Sequence, residues 1–163
     1  MKNKQTEKNI TQRSPGFWIL ISFGILLNIF YLLGQTMALI SYDFAVSIGL
    51  QEPMELVTAI GVAVNKGFGL GDTFLYMPLF ILGILGLFKR ASWGYYAMSA
   101  AMGITVYWPL VSLSTLYFAK GAEGWAFTNY TSYSFVLGFI ALYGLWGLYF
   151  LYTERHTLGS KHT

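Results

Sequence analysis

The chain has no cysteine, only two histidines and few charges of either sign. Without cysteine there is no disulfide, thiolate nucleophile, iron–sulfur cluster or cysteine-ligated zinc, and no redox compartment to read. His156 and His162 both follow the last apolar stretch. Bis-histidine haem, a histidine-held metal and a buried imidazole base are therefore excluded from the apolar part of the chain. Charged residues are 10% of the 163 and hydrophobic residues 55%, whereas soluble domains carry about 25% charged residues. A soluble domain of this size exposes too much of its surface to hide so much apolar side chain. The run Gly67–Gly71 lacks the Lys-Ser/Thr ending and the preceding strand of a phosphate-binding loop. No metal and no cofactor are expected. Nor is nucleic acid, despite a net charge of +3, because the basic residues sit at the ends of apolar stretches and not in one run or on one face.

What the chain does have is long uncharged stretches. No charged residue lies between Arg13 and Asp43, Asp72 and Lys89, Arg90 and Lys120, or Glu123 and Glu154. A hydrocarbon core of about 30 Å takes roughly 20 helical residues. The stretches predict helices over about 16–40, 71–88, 92–118 and 130–152. The expected class is all-α: a polytopic membrane protein whose four-transmembrane-helix bundle forms a single domain over 16–152. The tails, 1–15 and 153–163, are expected in the cytoplasm, with about 1–13 and 154–163 mobile. The first apolar stretch outruns the 7–15 residue core of a signal peptide and has no small-residue cleavage site, so it reads as a retained helix. With both termini and the 89–91 link in the cytoplasm, that side holds Lys2, Lys4, Lys8, Arg13, Lys89, Arg90, Arg155 and Lys161. Only Lys66 and Lys120 are left for the other side. That imbalance follows the positive-inside rule and predicts a multi-pass cell-membrane protein with cytoplasmic termini.

Segment 44–66 competes for a fifth span, but Gln51, Glu52, Pro53 and Glu55 lie near its middle. A central carboxylate costs a few kcal/mol on insertion, and a fifth crossing would put Lys89 and Arg90 on the wrong side. The expectation is an interfacial amphipathic helix over about 53–66 on the outer face, with proline near its start. Met54, Val57, Ile60, Gly61 and Val64 would face the membrane or bundle, and Glu55, Thr58, Val62 and Asn65 would face out. The glycines of 67–71 would then turn the chain into the second span. There is no fixed-period repeat and no low-complexity tract.

Polar residues inside spans need partners, because burying an unpaired amide costs free energy. Asn28, Tyr31 and Gln35 fall on one face of the first helix, and Thr105, Trp108, Ser112 and Thr115 on one face of the third. Such stripes meet in a bundle interior, where they either bond helix to helix or line a cavity. Asp72 begins the second expected helix and would cap its free N–H groups. Sixteen residues separate it from Lys89, about 25 Å at helical rise, so its carboxyl also lies deep enough to serve as acid, base or cation partner. Pro78 and Pro109 each free a carbonyl one turn earlier, at Phe74 and Thr105. Aromatics including Tyr42, Tyr76, Tyr107, Trp125, Tyr130 and Tyr133 gather toward the same outer end as an interfacial belt, with Trp108 deeper. Gly83, Gly86, Ser134, Gly138, Ala141, Gly144 and Gly147 allow close helix packing or a dimer seam. The glycosylation-type triplet Asn129–Thr131 abuts the fourth helix and is set aside.

The leading functional expectation is a small amphiphilic or lipidic ligand held in an outward-facing cavity lined by Asn28, Tyr31, Gln35, Asp72, Tyr76, Trp108 and Ser112. Two alternatives come from other classes. One is a non-catalytic subunit or assembly factor of a larger membrane complex, with a homo-oligomer also compatible. The other is an acid/base enzyme acting on an apolar substrate, which requires two of Asp72, Glu52 and Glu55 to converge on one cavity. Beyond those three carboxylates the sequence names no catalytic set.

Overall fold

A computed structural model describes residues 13–158, and among these there are helices and no strands. Four helices are long and apolar enough to cross a membrane: α1 (Pro15–Ile40), α3 (Met54–Phe88), α4 (Ser92–Ala119) and α5 (Tyr130–Thr153). Two short ones complete the set: α2 (Tyr42–Ser47) and α6 (Arg155–Leu158). The ends follow local capping chemistry. Ser14 accepts a hydrogen bond from the Phe17 N–H and Pro15 takes the first helical position of α1. Arg90, with φ 53°, closes α3: its N–H donates to Leu87 O and the Ala91 N–H to Gly86 O, the paired bonds of a Schellman ending.

The expected surface helix is present from Met54, but it is not separated from the second span. Gly67–Gly71 stay helical and α3 runs unbroken into Phe88. Glycine permits a turn without requiring one, and in apolar surroundings a chain that leaves the helix loses backbone hydrogen bonds with no water to replace them. The bend falls earlier, at Thr58 (φ 66°, ψ 169°), a conformation that β-branched residues rarely adopt. Thr58 Oγ1 accepts from the Gly61 N–H and so restarts the helix. The expected mobile tails lie mostly outside the described residues, as do Lys2, Lys4, Lys8, Lys161 and His162. The part described at the C-terminal side is packed: Arg155–Leu158 is helical and Leu158 is buried.

The helices form a ring in chain order, α1 against α3, α3 against α4, and α4 against α5. Glycines bring the backbones together: Gly83 against Met98, Gly86 against Gly94, and Gly144 against Thr105 and Val106. Gly138, expected in the same role, has nothing within 4 Å. The ring closes differently between α1 and α5. Their backbones stay apart, and side chains bridge them near one end: Tyr143 Oη donates to Leu20 O at 2.7 Å, and Phe23 packs on Tyr143 and Phe139 at 4.6 and 5.4 Å. The core between is apolar, with Phe17, Leu20, Phe80, Leu87, Met98 and Met102 buried. Large apolar side chains such as Ile29, Ile81, Phe135 and Leu142 stand exposed around the outside, as a lipid-facing surface requires.

Both ends are fixed by tertiary contacts. Arg13 Nη2 donates to Phe88 O at 2.9 Å, which joins the start of α1 to the end of α3. Burial, then the charge of Arg90, lowers the Arg13 guanidinium from its ordinary value. At the opposite end the Ala126 N–H donates to Leu56 O at 3.0 Å. Arg13, Lys89, Arg90 and Arg155 therefore share one end, while Lys66 and Lys120 belong to the other with Asp43, Glu52, Glu55 and Glu123.

Candidate functional site

Two of the four long helices widen into a single π turn, and the two turns lie side by side: Leu32–Thr36 in α1 and Asp72–Tyr76 in α3. The second has a visible cause two residues on. Pro78 has no N–H to give Phe74 O, and its ring crowds that carbonyl, so the Met77 N–H reaches back to Asp72 O instead. The turns are joined by Thr36 and Thr73, whose hydroxyl oxygens are 2.8 Å apart. They can approach because Gly69 lacks a side chain: a Cβ there would stand 2.7 Å from Gln35 O. π turns of this kind recur at functional sites.

Asp72 consequently sits inside a helix and not at its start. The expected capping role is lost, because the N–H groups around it already bond within the helix. Its side chain is 4% exposed and Oδ2 has no hydrogen-bond partner. Two more buried side-chain atoms among the described residues share that condition, Asn28 Oδ1 and Trp108 Nε1. Buried polar atoms are nearly always partnered, so three orphans among the described residues of one small bundle call for a physical account.

Trp108 is the hub. Its ring lies 5.6 Å from that of Tyr31 and 6.5 Å from that of Phe68, and Tyr31 meets Tyr76 edge-on at 4.9 Å. Tyr76 is anchored from below by Thr105, hydroxyl to hydroxyl at 2.7 Å, with Thr105 donating onward to Ala101 O. Three spaces radiate from this hub. An end chamber of about 370 Å³ lies between α3, α4 and the 50–52 and 122–127 loops. A side groove of about 770 Å³ lies between α1 and α5, where the ring is open. A rear groove of about 470 Å³ lies between α3 and α4 and is walled by Asp72 and Tyr76.

The chamber and the side groove differ in chemistry yet share Gln35, Leu50, Trp108, Tyr133 and Leu137. From Phe23 to Gln35 the groove follows α1 for about 18 Å, and Leu26, Phe30, Phe135, Val136 and Phe139 along it are exposed. The chamber is polar at its rim. Tyr133 Oη donates to Glu52 Oε1 at 2.8 Å, Tyr42 Oη donates to Glu52 O at 2.9 Å, and Asn65 Nδ2 donates to Tyr42 Oη at 3.1 Å. Burial raises the Tyr42 phenol from its ordinary value, opposed by the Asn65 bond and reinforced by the Glu52 charge. Gln51 is buried and folds the loop onto α1, with Nε2 at 3.3 Å from Gly34 O and 3.4 Å from Gln35 Oε1. Two carboxylates, Glu52 and Glu123, line the chamber with Trp108, Trp125, Phe68 and Phe127, and none of its lining residues is basic.

Of the residues singled out from sequence, Gln35, Trp108 and Ser112 meet at the chamber, Tyr31 joins Gln35 and Trp108 at the side groove, and Asp72 and Tyr76 stand with Trp108 at the rear groove. Asn28 lines none of these spaces; its Nδ2 donates to Gly24 O one turn back. Glu55 is exposed, and Glu52 and Asp72 belong to different spaces, so the three carboxylates do not converge. Thr58 and Asn65, expected to face out, line the chamber instead because the helix bends at Thr58 and loop 41–53 folds over it. Sequence reasoning missed Gln51, Asn65 and Phe68. Gln51 left a sign, as part of the polar cluster Gln51, Glu52 and Glu55 that interrupts an apolar segment. No family model, curated protein or solved structure matches this chain.

Proposed function

We propose that this is a membrane-embedded binding protein for an amphiphile, whose chain lies in the side groove between α1 and α5 while its head group occupies the end chamber. The observation behind it is an apolar groove set against a chamber with a polar rim, the two sharing Gln35, Leu50, Trp108, Tyr133 and Leu137 as walls. Ligand sites combine apolar walls with a few placed polar groups in this way. The groove side is open to lipid because α1 and α5 are not packed backbone to backbone, so a ligand enters from the bilayer. With Glu52 and Glu123 and no basic residue in its lining, the chamber favours an uncharged or cationic head group over an anionic one. The aromatic rings around them add cation–π attraction.

Two fluorescent amphiphiles with the same alkyl chain, one ending in trimethylammonium and one in carboxylate, test this in nanodiscs. The ammonium form is expected to bind about tenfold more tightly, with Glu52→Gln removing most of the difference. Leu137→Trp, which enlarges a wall shared by the groove and the chamber, should abolish binding of both. Saturable binding of neither probe to the wild type would sink the proposal.

The orientation follows from the charge distribution at the two ends. The end carrying Arg13, Lys89, Arg90 and Arg155 faces the cytoplasm and the chamber faces out. Because the chain has no cysteine, single cysteines at Ala91 and Ala122 can be labelled in intact cells with a membrane-impermeant maleimide. Labelling is expected at position 122 and not at 91; the reverse pattern turns the molecule over.

A further inference from the structure

Two of the three orphaned polar atoms belong to residues that line the rear groove, Asp72 and Trp108, and they are complementary. Asp72 Oδ2 is an acceptor without a donor, and Trp108 Nε1–H is a donor without an acceptor. We infer that the rear groove, which shares Val64, Phe68 and Trp108 with the end chamber, is a second site that takes the hydroxyl group of a lipidic alcohol, which donates to Asp72 and accepts from Trp108. The choice of class follows from hydrogen-bond inventory. An ammonium could satisfy Asp72 but has no lone pair for the indole N–H. A ketone, ester or ether could accept from Trp108 but has nothing to donate to Asp72. A hydroxyl does both from one atom.

The surroundings fit such a ligand. Gly67 and Gly71 border the groove, and an added Cβ at either would meet nothing within 4 Å, so the space beside Asp72 is open along the helix. Leu75 and Tyr107 flank the mouth and are 57% and 64% exposed, so an alkyl body can leave the groove directly into lipid. Asp72 lies about 25 Å from the Lys89 end, which puts the hydroxyl near the opposite interface of a 30 Å core and the chain along the hydrocarbon. The π turn sets the geometry: widening α3 at Asp72–Tyr76 keeps the carboxyl beside the groove while Tyr76 is held inward by Thr105.

The test uses the full-length protein in nanodiscs and a long-chain primary alcohol with a diazirine close to its hydroxyl end, compared with its methyl ether. The alcohol is expected to label the segment around Leu75 and Tyr107 saturably, and the ether about tenfold less, as one lost hydrogen bond in a buried site implies. Trp108→Phe keeps the ring and removes the N–H, and should reduce alcohol labelling about tenfold. Gly71→Leu fills the groove from open space and should abolish labelling with the fold intact by circular dichroism. Leu137→Trp, which enlarges a wall of the chamber and side groove but not of the rear groove, should leave this labelling unchanged, so failure of the amphiphile site and failure of this one are distinguishable. Equal labelling by alcohol and ether, indifference to Trp108→Phe, or no saturable labelling (a groove that holds only water) would each overturn the assignment.

Discussion

Replacing Gly86 with valine is expected to cost the bundle about 3 kcal/mol or more, the upper end of overpacking effects, and to leave little folded protein after extraction in detergent. A Cβ at Gly86 would fall on the Gly94 backbone, and a Cβ at Gly94 would fall on Gly86 and Leu87 in turn. Neither backbone can step aside. The two glycines face each other across the short 89–91 link, and the Ala91 N–H is already bonded to Gly86 O. Backbone atoms, unlike the end of a flexible side chain, have no alternative rotamer. Gly67→Ala is the matched control. It meets open space on the exposed side of α3 and should gain up to about 1 kcal/mol from helix propensity. Unfolding by SDS titration, followed by circular dichroism, separates the two. A Gly86→Val protein as stable as the wild type would mean that α3 and α4 do not touch at Gly86 and Gly94.

Asp72→Leu is expected to act in the opposite sense and to stabilise the ligand-free protein by about 1–3 kcal/mol. The carboxyl is buried, sits in a span and leaves Oδ2 without a partner. Leucine is close in size and removes that desolvated acceptor, and it also lowers the cost of inserting this stretch into hydrocarbon. A polar group retained against its own stability cost is the usual mark of a functional position. The same substitution should therefore remove alcohol labelling in the rear groove while raising the unfolding midpoint. If Asp72→Leu instead destabilised the bundle, the carboxyl would be serving as packing or hydrogen-bonding structure, and the stability–function opposition drawn here would fail.

The stretches free of charge marked the spans because hydrocarbon admits little else, and α1, α4 and α5 begin and end within a few residues of where those stretches place them. The polar stripes were legible for the same reason: helical spacing alone puts Tyr31 and Gln35 on one face and Trp108 and Ser112 on another, and these faces meet. Local signals served less well in the second span. A glycine-rich run reads as a turn in water, where freed carbonyls are hydrated. Here the helix continues through it and Gly69 serves to admit the α1 backbone. Asp72 reads as a cap only if a helix starts beside it, and in the folded chain it lies inside α3.

Composition and charge spacing by themselves determined an all-α chain with four helices long and apolar enough to cross a membrane, since solvation in a bilayer is decided residue by residue along each segment. The spaces between those helices were decided only by tertiary structure. Tyr133 reaches Glu52 across 81 residues, the π turns of α1 and α3 register against one another, and α1 and α5 stay apart because their side chains, not their backbones, meet. Each is a relation between distant segments, fixed by packing, and no local periodicity encodes it.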